Sequence, residues 1–490
     1  VSAWVLGEQL TPDNPALAGV DRVLLIESER ALSAKRYHRQ KLHLVLSAMR
    51  HFVRDQRDAG VDVHVVRAED FDTGIKRHVR QHRPTEIRLL SPTRKQARKT
   101  LARLPRVQVV EGTLFLTTAD QFRGWAEGRG RLVMEDFYRW QRKRLDLLMA
   151  SDGPAGGRWN YDADNRRPPP RDRRPPEPWK PSEDGIDHAV RRDLERMRLM
   201  TFGVDGPRAF AASGEEANLA LEHFARGSLP EFGPWQDAML GGERMMWHSG
   251  LAGPMNLGLL SPIAAARRVE SAYTSGAVPI ASAEGFIRQV IGWREFIRGV
   301  YELLDWGGAN TLRASAPMPD AFWNGATKMR CLADVVEGVR HTGYAHHIER
   351  LMVLGNLLLL LGVRPDEALE WFTVAFVDAH EWVMAPNVLG MALYADGGRM
   401  STKPYAAGGR YLSRMSNYCK GCEYEPTRRL GPDACPFSTL YWDFLDRNRE
   451  RLAHNPRMSR VLAGLTRIGD GERRLIRERA DRLRDDLESA

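Results

Sequence analysis

The sequence has almost no cysteine, four in 490 residues. So few thiols in so long a chain exclude a disulfide-built scaffold. Long apolar runs are also missing. The longest, around Met352–Val363, has only Leu357 to Leu361 consecutive, well short of the ~20 residues a bilayer crossing needs. Val1–Leu10 lacks the pattern of a secretory leader and runs straight into Thr11-Pro12. After the first apolar run, Gly7-Glu8-Gln9-Leu10 stands where a Gly-x-Gly-x-x-Gly turn would sit. The usual dinucleotide fingerprint is therefore absent. No internal repeat is found. These absences set the expectation of a soluble, cytoplasmic chain without a membrane partner. In a reducing compartment, four thiols point to metal binding.

Lys and Arg number 72 against 63 Asp and Glu, a formal charge of +9. Part of that excess can face a polyanion such as DNA; an ordinary Arg-rich surface is the plainer reading. At 490 residues the chain has length for two to four domains at roughly 100–200 residues each.

Strand and helix signals alternate through the first 150 residues. Trp4-Val5-Leu6, Val23-Leu24-Leu25-Ile26, Val61–Val65 and Ile87–Leu90 are short apolar or alternating runs. Helical spacing separates them in Lys41–Arg54 and Gly74–Gln81. That order predicts a parallel, Rossmann-like α/β sheet over residues 1–150. Residues 151–185 form a linker rich in proline and arginine, including Arg166-Arg167-Pro168-Pro169-Pro170-Arg171. Proline at this density blocks helix and central strand. The arginines suit either a solvated linker or a loop that touches phosphates. Residues 186–490 read as helical, with Gly214–Arg226, Ala283–Leu304, His346–Leu361 and Gly471–Leu487 as candidates. The last is charged nearly all round and is expected on the surface.

Cys419 and Cys422 form a Cys-x2-Cys pair, Cys435-Pro436 follows, and Cys331 lies far upstream. Four thiolates can hold an iron–sulfur cluster or a zinc ion. A zinc ribbon would show two close pairs, and only one is present. In a third reading Cys331 is simply a small buried residue. Spacing alone leaves all three open.

The same stretch carries a resemblance. Tyr418-Cys419-Lys420-Gly421-Cys422 follows Ser401-Thr402-Lys403-Pro404-Tyr405 and Arg414-Met415-Ser416. Upstream stand Ser47-Ala48-Met49-Arg50-His51-Phe52, Gly157-Arg158-Trp159-Asn160-Tyr161-Asp162, His248-Ser249-Gly250-Leu251, Asn256–Pro262 and Gly292-Trp293-Arg294-Glu295-Phe296. Together they resemble the photolyase/cryptochrome flavoproteins, specifically the bacterial iron–sulfur branch, whose members look like (6-4) photolyases. The match spans nearly the whole chain.

The resemblance implies an all-α FAD-binding domain with a 4Fe-4S cluster on Cys331, Cys419, Cys422 and Cys435. It places FAD against Ser249, Gly250, Leu251, Asn256, Trp293, Arg294, Met384 and Asn387. Arg350 and Asp378 would flank the flavin ring. It implies catalytic roles for His347, with His346 beside it, and for Tyr405 and Tyr411 near the lesion. A histidine can hold or release a proton near neutral pH, as a (6-4) repair needs. Taken without the resemblance, a His pair at a helix start is a packing or capping element, Ser249-Gly250 a helix cap, and Arg350/Asp378 a structural ion pair. Trp371 and Trp323 resemble an electron relay, although Trp is also a common core residue. The implied partner is UV-damaged DNA, and the expected state is a monomer. A light-sensing, cryptochrome-like role without repair is the alternative.

Three departures from the family pattern are visible. The pair that usually helps hold a 6,7-dimethyl-8-ribityllumazine antenna aligns with Ala31 and Ala34, which carry no polar side chain. Met384 stands where relatives often place an acid or amide facing the flavin. Phe372 follows Trp371 where a tyrosine could extend the relay.

Overall fold

The computed structural model describes residues 1–112 and 114–488. Five strands, β1 (Ser2–Trp4), β2 (Arg22–Ser28), β3 (Val63–Ala68), β4 (Ile87–Leu90) and β5 (Val107–Val110), form one sheet. Their spatial order is β3-β2-β1-β4-β5, and every pairing is parallel. The central strand β1 is wholly buried, as expected of a parallel strand covered on both faces. The helix Arg39–Asp58 covers one face through Leu42, Leu46, Met49 and Val53, and a separate core around Trp4, Ile26 and Ile75 fills the other. The helix Phe71–His82 approaches that second face closely. A Cβ on Gly74 would meet the Ile26 side chain at 2.7 Å. Against expectation, β3 starts two residues later than Val61, and β5 adds an edge strand.

The chain winds outward from β1 to β3 and then restarts at β4, on the other side of β1. In open α/β sheets that reversal leaves a ligand-binding crevice at the strands' carboxyl ends. Here residues at those ends contact one another and the helical part. Glu8, just past β1, accepts hydrogen bonds from Thr93 N (2.8 Å) and Thr93 Oγ1 (2.6 Å), just past β4. His380 Nδ1 lies 3.3 Å from the same carboxylate. Arg94 pairs with Glu381, and Lys95 N donates to Tyr301 Oη, so these strand ends help dock the helical part.

The proline-rich stretch is irregular but pinned. Asn165 is fully buried, and its amide donates to Ala281 O at 2.9 Å. Arg158, Arg166, Arg173 and Arg174 pair with Asp164, Asp162, Glu231 and Glu243. Much of its positive charge is thus answered within the chain.

From Gly185 onward the described chain is helical. One helical course runs from Ile280 to Leu303 and contains a π-helical stretch, Arg288–Arg294. Two further π-helical stretches occur at Glu349–Gly355 and Pro386–Ala392. Such widened turns occur often at functional sites. The last helix, Asp470–Glu488, is less peripheral than its charge implies. Ile476, Ala480 and Leu487 are buried in the main core, and Arg484 Nε donates to Leu361 O at 3.1 Å. No helix among the described residues is long and apolar enough to cross a membrane.

Candidate active site

All three π-helical stretches line one cavity of about 1000 Å³ in the helical part. That volume is at the upper end for small-molecule sites. A π turn inserts an extra residue and rotates the next side chains. It thereby brings Trp293 and Arg294, Arg350, and Asn387 to the cavity wall.

Arg350 donates to both carboxylate oxygens of Asp378, at 2.9 and 3.0 Å. Its Nε donates to Ala345 O (2.6 Å), and its guanidinium lies 4.0 Å from the Phe376 ring centre. Asn256 Nδ2 donates to Asp378 O at 2.9 Å, tying a third cavity residue to the pair. The cation is therefore fixed rather than free to swing. Arg294 is held by Glu295 at 2.9 Å and by the faces of Phe115 and Trp382. Its Nε is buried without a hydrogen-bond partner, which suits a ligand acceptor. Ser249 Oγ accepts from Leu251 N at 3.3 Å, and Gly250 has φ +66°; this turn leads into the helix Ala252–Leu257 without a side chain capping it. It lines the cavity as well. Met384 is there too, 5% exposed, with only a thioether to offer.

His347, Tyr405 and Tyr411 line the same cavity. His347 is exposed to the cavity's open volume, yet the surrounding protein is close enough to desolvate its ring. Burial, with the charges of Arg350 and His346 adding to it, pushes its pKa down to about 4. Tyr411 is pushed up to about 12 by burial and by Asp237, so its hydroxyl keeps its proton. His346 is not part of the cavity wall. It is fully buried, stacks on His248 at 4.6 Å and 15°, and lies 3.4 Å from Glu349 Oε1. Tyr418 Oη donates to that same Glu349 Oε1 at 2.9 Å. A buried chain of contacts thus leads from the histidine pair to the residue before Cys419.

Trp371 and Trp323 lie outside the cavity wall, side by side. Their ring centres are 6.5 Å apart at 82°. Trp371 is fully buried, against Phe372 and Phe376. Trp323 is partly exposed, with Arg36 5.2 Å from its ring centre.

The four cysteines are brought together from separate elements. Cys331 opens the helix Arg330–Thr342, Cys419 and Cys422 follow the helix Gly409–Met415, and Cys435 caps Pro436–Arg447. All four are free, with Cys331 and Cys435 buried. Burial pushes the Cys331 thiol up, and the other three cysteines add to it. Cys435 is pushed up to about 11 by burial, with Cys419 and Cys422 adding to it. Thiols that oppose one another's ionisation suit a positively charged metal core.

Two buried or half-buried titratable groups have no motif to announce them. Asp237 lines the cavity, and burial together with Asp162 pushes its pKa up to about 6. Lys41 reaches over from the sheet side and donates to Thr373 O (2.8 Å) and Ala379 O (2.7 Å). Burial pulls it down to about 7, while Asp378 opposes the fall. Ala31 and Ala34 lie on an exposed short helix and its end.

Comparison with known proteins follows the same lines. The family described as deoxyribodipyrimidine photo-lyase-related protein matches residues 3–209. The chain is 40% identical over 493 aligned positions to a (6-4) photolyase from Agrobacterium fabrum, covering 97% of each. A mimivirus protein of uncharacterised function is 31% identical over 100 residues, 20% of this chain and 74% of that one. A bacterial class III photolyase from Agrobacterium tumefaciens has a similar fold, with TM-score 0.61, 16% identity, and 92% and 97% of the two chains covered.

Proposed function

Because this chain belongs to the photolyase family, matched nearly end to end by a (6-4) photolyase, we propose that its large cavity is where a UV lesion is reversed. The protein is a light-driven DNA-repair lyase of the (6-4) type, acting on UV-damaged DNA with FAD. The observation that carries the assignment of the site is one cavity that gathers a fixed Arg350–Asp378 pair with His347, Tyr405 and Tyr411.

The residues fit FAD. The cavity is large enough, and Arg294 Nε lacks a partner that a ligand would provide. Ser249, Gly250, Leu251, Asn256, Trp293, Arg294, Arg350, Asp378, Met384 and Asn387 would hold it. Bound and reduced, FAD supplies on excitation by blue light the electron that starts rearrangement of the lesion. Arg350 contributes a fixed positive charge, and Asp378 keeps it in place. Arg166, Lys403, Arg414 and Arg457 line the cavity as well and would meet the phosphates of a flipped lesion nucleotide. The His347 imidazole passes a proton at its ring nitrogen. A ring held near neutral in the unliganded cavity gains proton affinity as negative charge enters beside it. Tyr405 and Tyr411 keep their hydroxyl protons and orient the lesion oxygens by hydrogen bonding. Asp237, raised to about 6, is poised to take up and return a proton at the same wall.

Trp371 and Trp323 are proposed as the path by which electrons reach the cofactor from solvent. Cys331, Cys419, Cys422 and Cys435 are proposed to hold a 4Fe-4S cluster, which clasps the C-terminal segment to the helix Arg330–Thr342. Ala31 and Ala34 do not fit a lumazine antenna. They are exposed methyl groups with no polar side-chain atom to offer.

The test has two parts. Acid extraction should release one FAD per chain, and the reduced protein under blue light should restore a UV-irradiated oligonucleotide. A flavin-free protein, or no repair of either lesion type, would sink the reading.

A further inference from the structure

The sheet carries a second constellation far from the cavity in sequence. His64 lies on β3, and His78 and His82 lie one turn apart on the helix Phe71–His82 that packs against it. Residues spaced i and i+4 share a helix face, so both helix rings face the strand residue. The His64 and His78 Nδ1 atoms are 2.8 Å apart. The His82 ring centre lies 4.5 Å from that of His64 and 5.0 Å from that of His78. One ring nitrogen from each residue lies within 4.8 Å of the others.

We propose that His64, His78 and His82 bind a late first-row divalent cation, with zinc the reference ion. Three observations support this. His78 Nε2 lies 3.0 Å from Ser2 Oγ on β1. With that hydroxyl accepting, Nε2 carries the proton and Nδ1 keeps its lone pair toward His64, the arrangement that outer hydrogen bonds give to metal-binding histidines. His82 Nε2 is shielded from solvent and has no hydrogen-bond partner. The rings are also kept unprotonated: burial lowers all three, with His82 adding to the fall at His64, and both His64 and His82 adding to it at His78. Neutral imidazole is the form a metal needs.

The geometry is close to what coordination requires. Zn–N bonds of about 2.0–2.1 Å put tetrahedral ligand nitrogens about 3.3 Å apart. The 2.8 Å contact would open by a fraction of an ångström. His64 and His82 are partly exposed, so water can complete the coordination. Two charged groups also face the site. Asp62 favours a cation, and Arg22, which pairs with Asp62, opposes one. An all-nitrogen set of this kind suits zinc, nickel or copper over magnesium or calcium.

The experiment uses the full chain with its cofactors. Zinc is titrated against a chromogenic chelator, for the parent and for a His64→Gln/His82→Gln double variant. One zinc per chain is expected, bound at about micromolar Kd or tighter and weakened at least about 30-fold in the variant. X-ray absorption at the zinc edge should show nitrogen and oxygen neighbours near about 2.0 Å. Sulfur neighbours near about 2.3 Å would place the metal on cysteines and overturn the proposal. So would affinity unchanged by the double substitution, or no binding up to about 100 µM zinc. If the variant fails to retain flavin and native circular dichroism, the absorption spectrum of the parent alone decides.

Discussion

Replacing His347 by asparagine separates proton transfer from everything else the cavity does. Asparagine nearly matches the ring in size and can hydrogen-bond, but it cannot pass a proton at neutral pH. No hydrogen bond or ion pair to the His347 ring is found among the described residues, and the ring faces open cavity. The substitution should therefore leave flavin stoichiometry, lesion binding and the thermal midpoint close to those of the parent. A positioned general acid contributes about 10²–10⁴-fold, or roughly 3–5 kcal/mol of barrier. The quantum yield of (6-4) repair, read by chromatography of a defined oligonucleotide after counted photons, should fall by at least about 100-fold. The parent should carry a pH dependence that the variant lacks. His347 is held down to about 4, so its protonated fraction, and the repair yield with it, should grow as pH falls from alkaline toward neutral. The corresponding stability term runs the other way. A histidine lowered in the folded state binds protons more readily when unfolded, so folding stability is lost as pH falls from about 6.5 toward 4. A His347→Asn protein that repairs within about threefold of the parent, well inside the range expected of a general acid, would refute the reasoning.

Three further outcomes follow from the structure. Asp378→Ala removes both carboxylate acceptors of the Arg350 guanidinium and leaves it only Ala345 O; breaking a buried pair costs about 3–5 kcal/mol, and the purified protein should lose most of its FAD, read by extraction and absorbance. Trp371→Phe removes the buried partner of Trp323, so photoreduction of oxidised flavin should slow at least about tenfold, a ~1.4 kcal/mol change in barrier, while repair by chemically reduced protein stays near parental, both followed by transient absorption and product analysis. Tyr418→Phe deletes the 2.9 Å hydrogen bond to Glu349, worth about 1.5–3 kcal/mol as a charged bond, and should speed chelator-driven bleaching of the absorption expected from the proposed cluster while leaving all four cysteines in place.

The sequence made some of this visible and hid the rest for physical reasons. β1 to β4 stood out because parallel strands buried on both faces read as apolar runs. β5 did not, since its four residues are only half buried at the sheet edge. Arg350, Asp378, His347 and both tyrosines were legible only through the family resemblance, and all five meet in one cavity. Asp237 and Lys41 were not, because their surroundings come from segments far apart in the chain: Asp237 joins the cavity wall and Lys41 is bonded to Thr373 O and Ala379 O. The π-helical turns leave no pattern in the residues, yet they aim Arg294, Arg350 and Asn387. His346 and His347 are adjacent in sequence and differ in place: one is locked between His248 and Glu349, the other faces the cavity. The His64, His78 and His82 set needs a strand and a helix to meet, and its spacing alone gave no signal.

The central claim is that this cavity reverses a (6-4) lesion with light. The most direct measurement incubates the reduced protein with an oligonucleotide carrying one (6-4) thymine–thymine photoproduct, in darkness and under blue light. The expected result is conversion to the intact dinucleotide under light alone. An unchanged lesion under light, with FAD bound and reduced, would contradict the account.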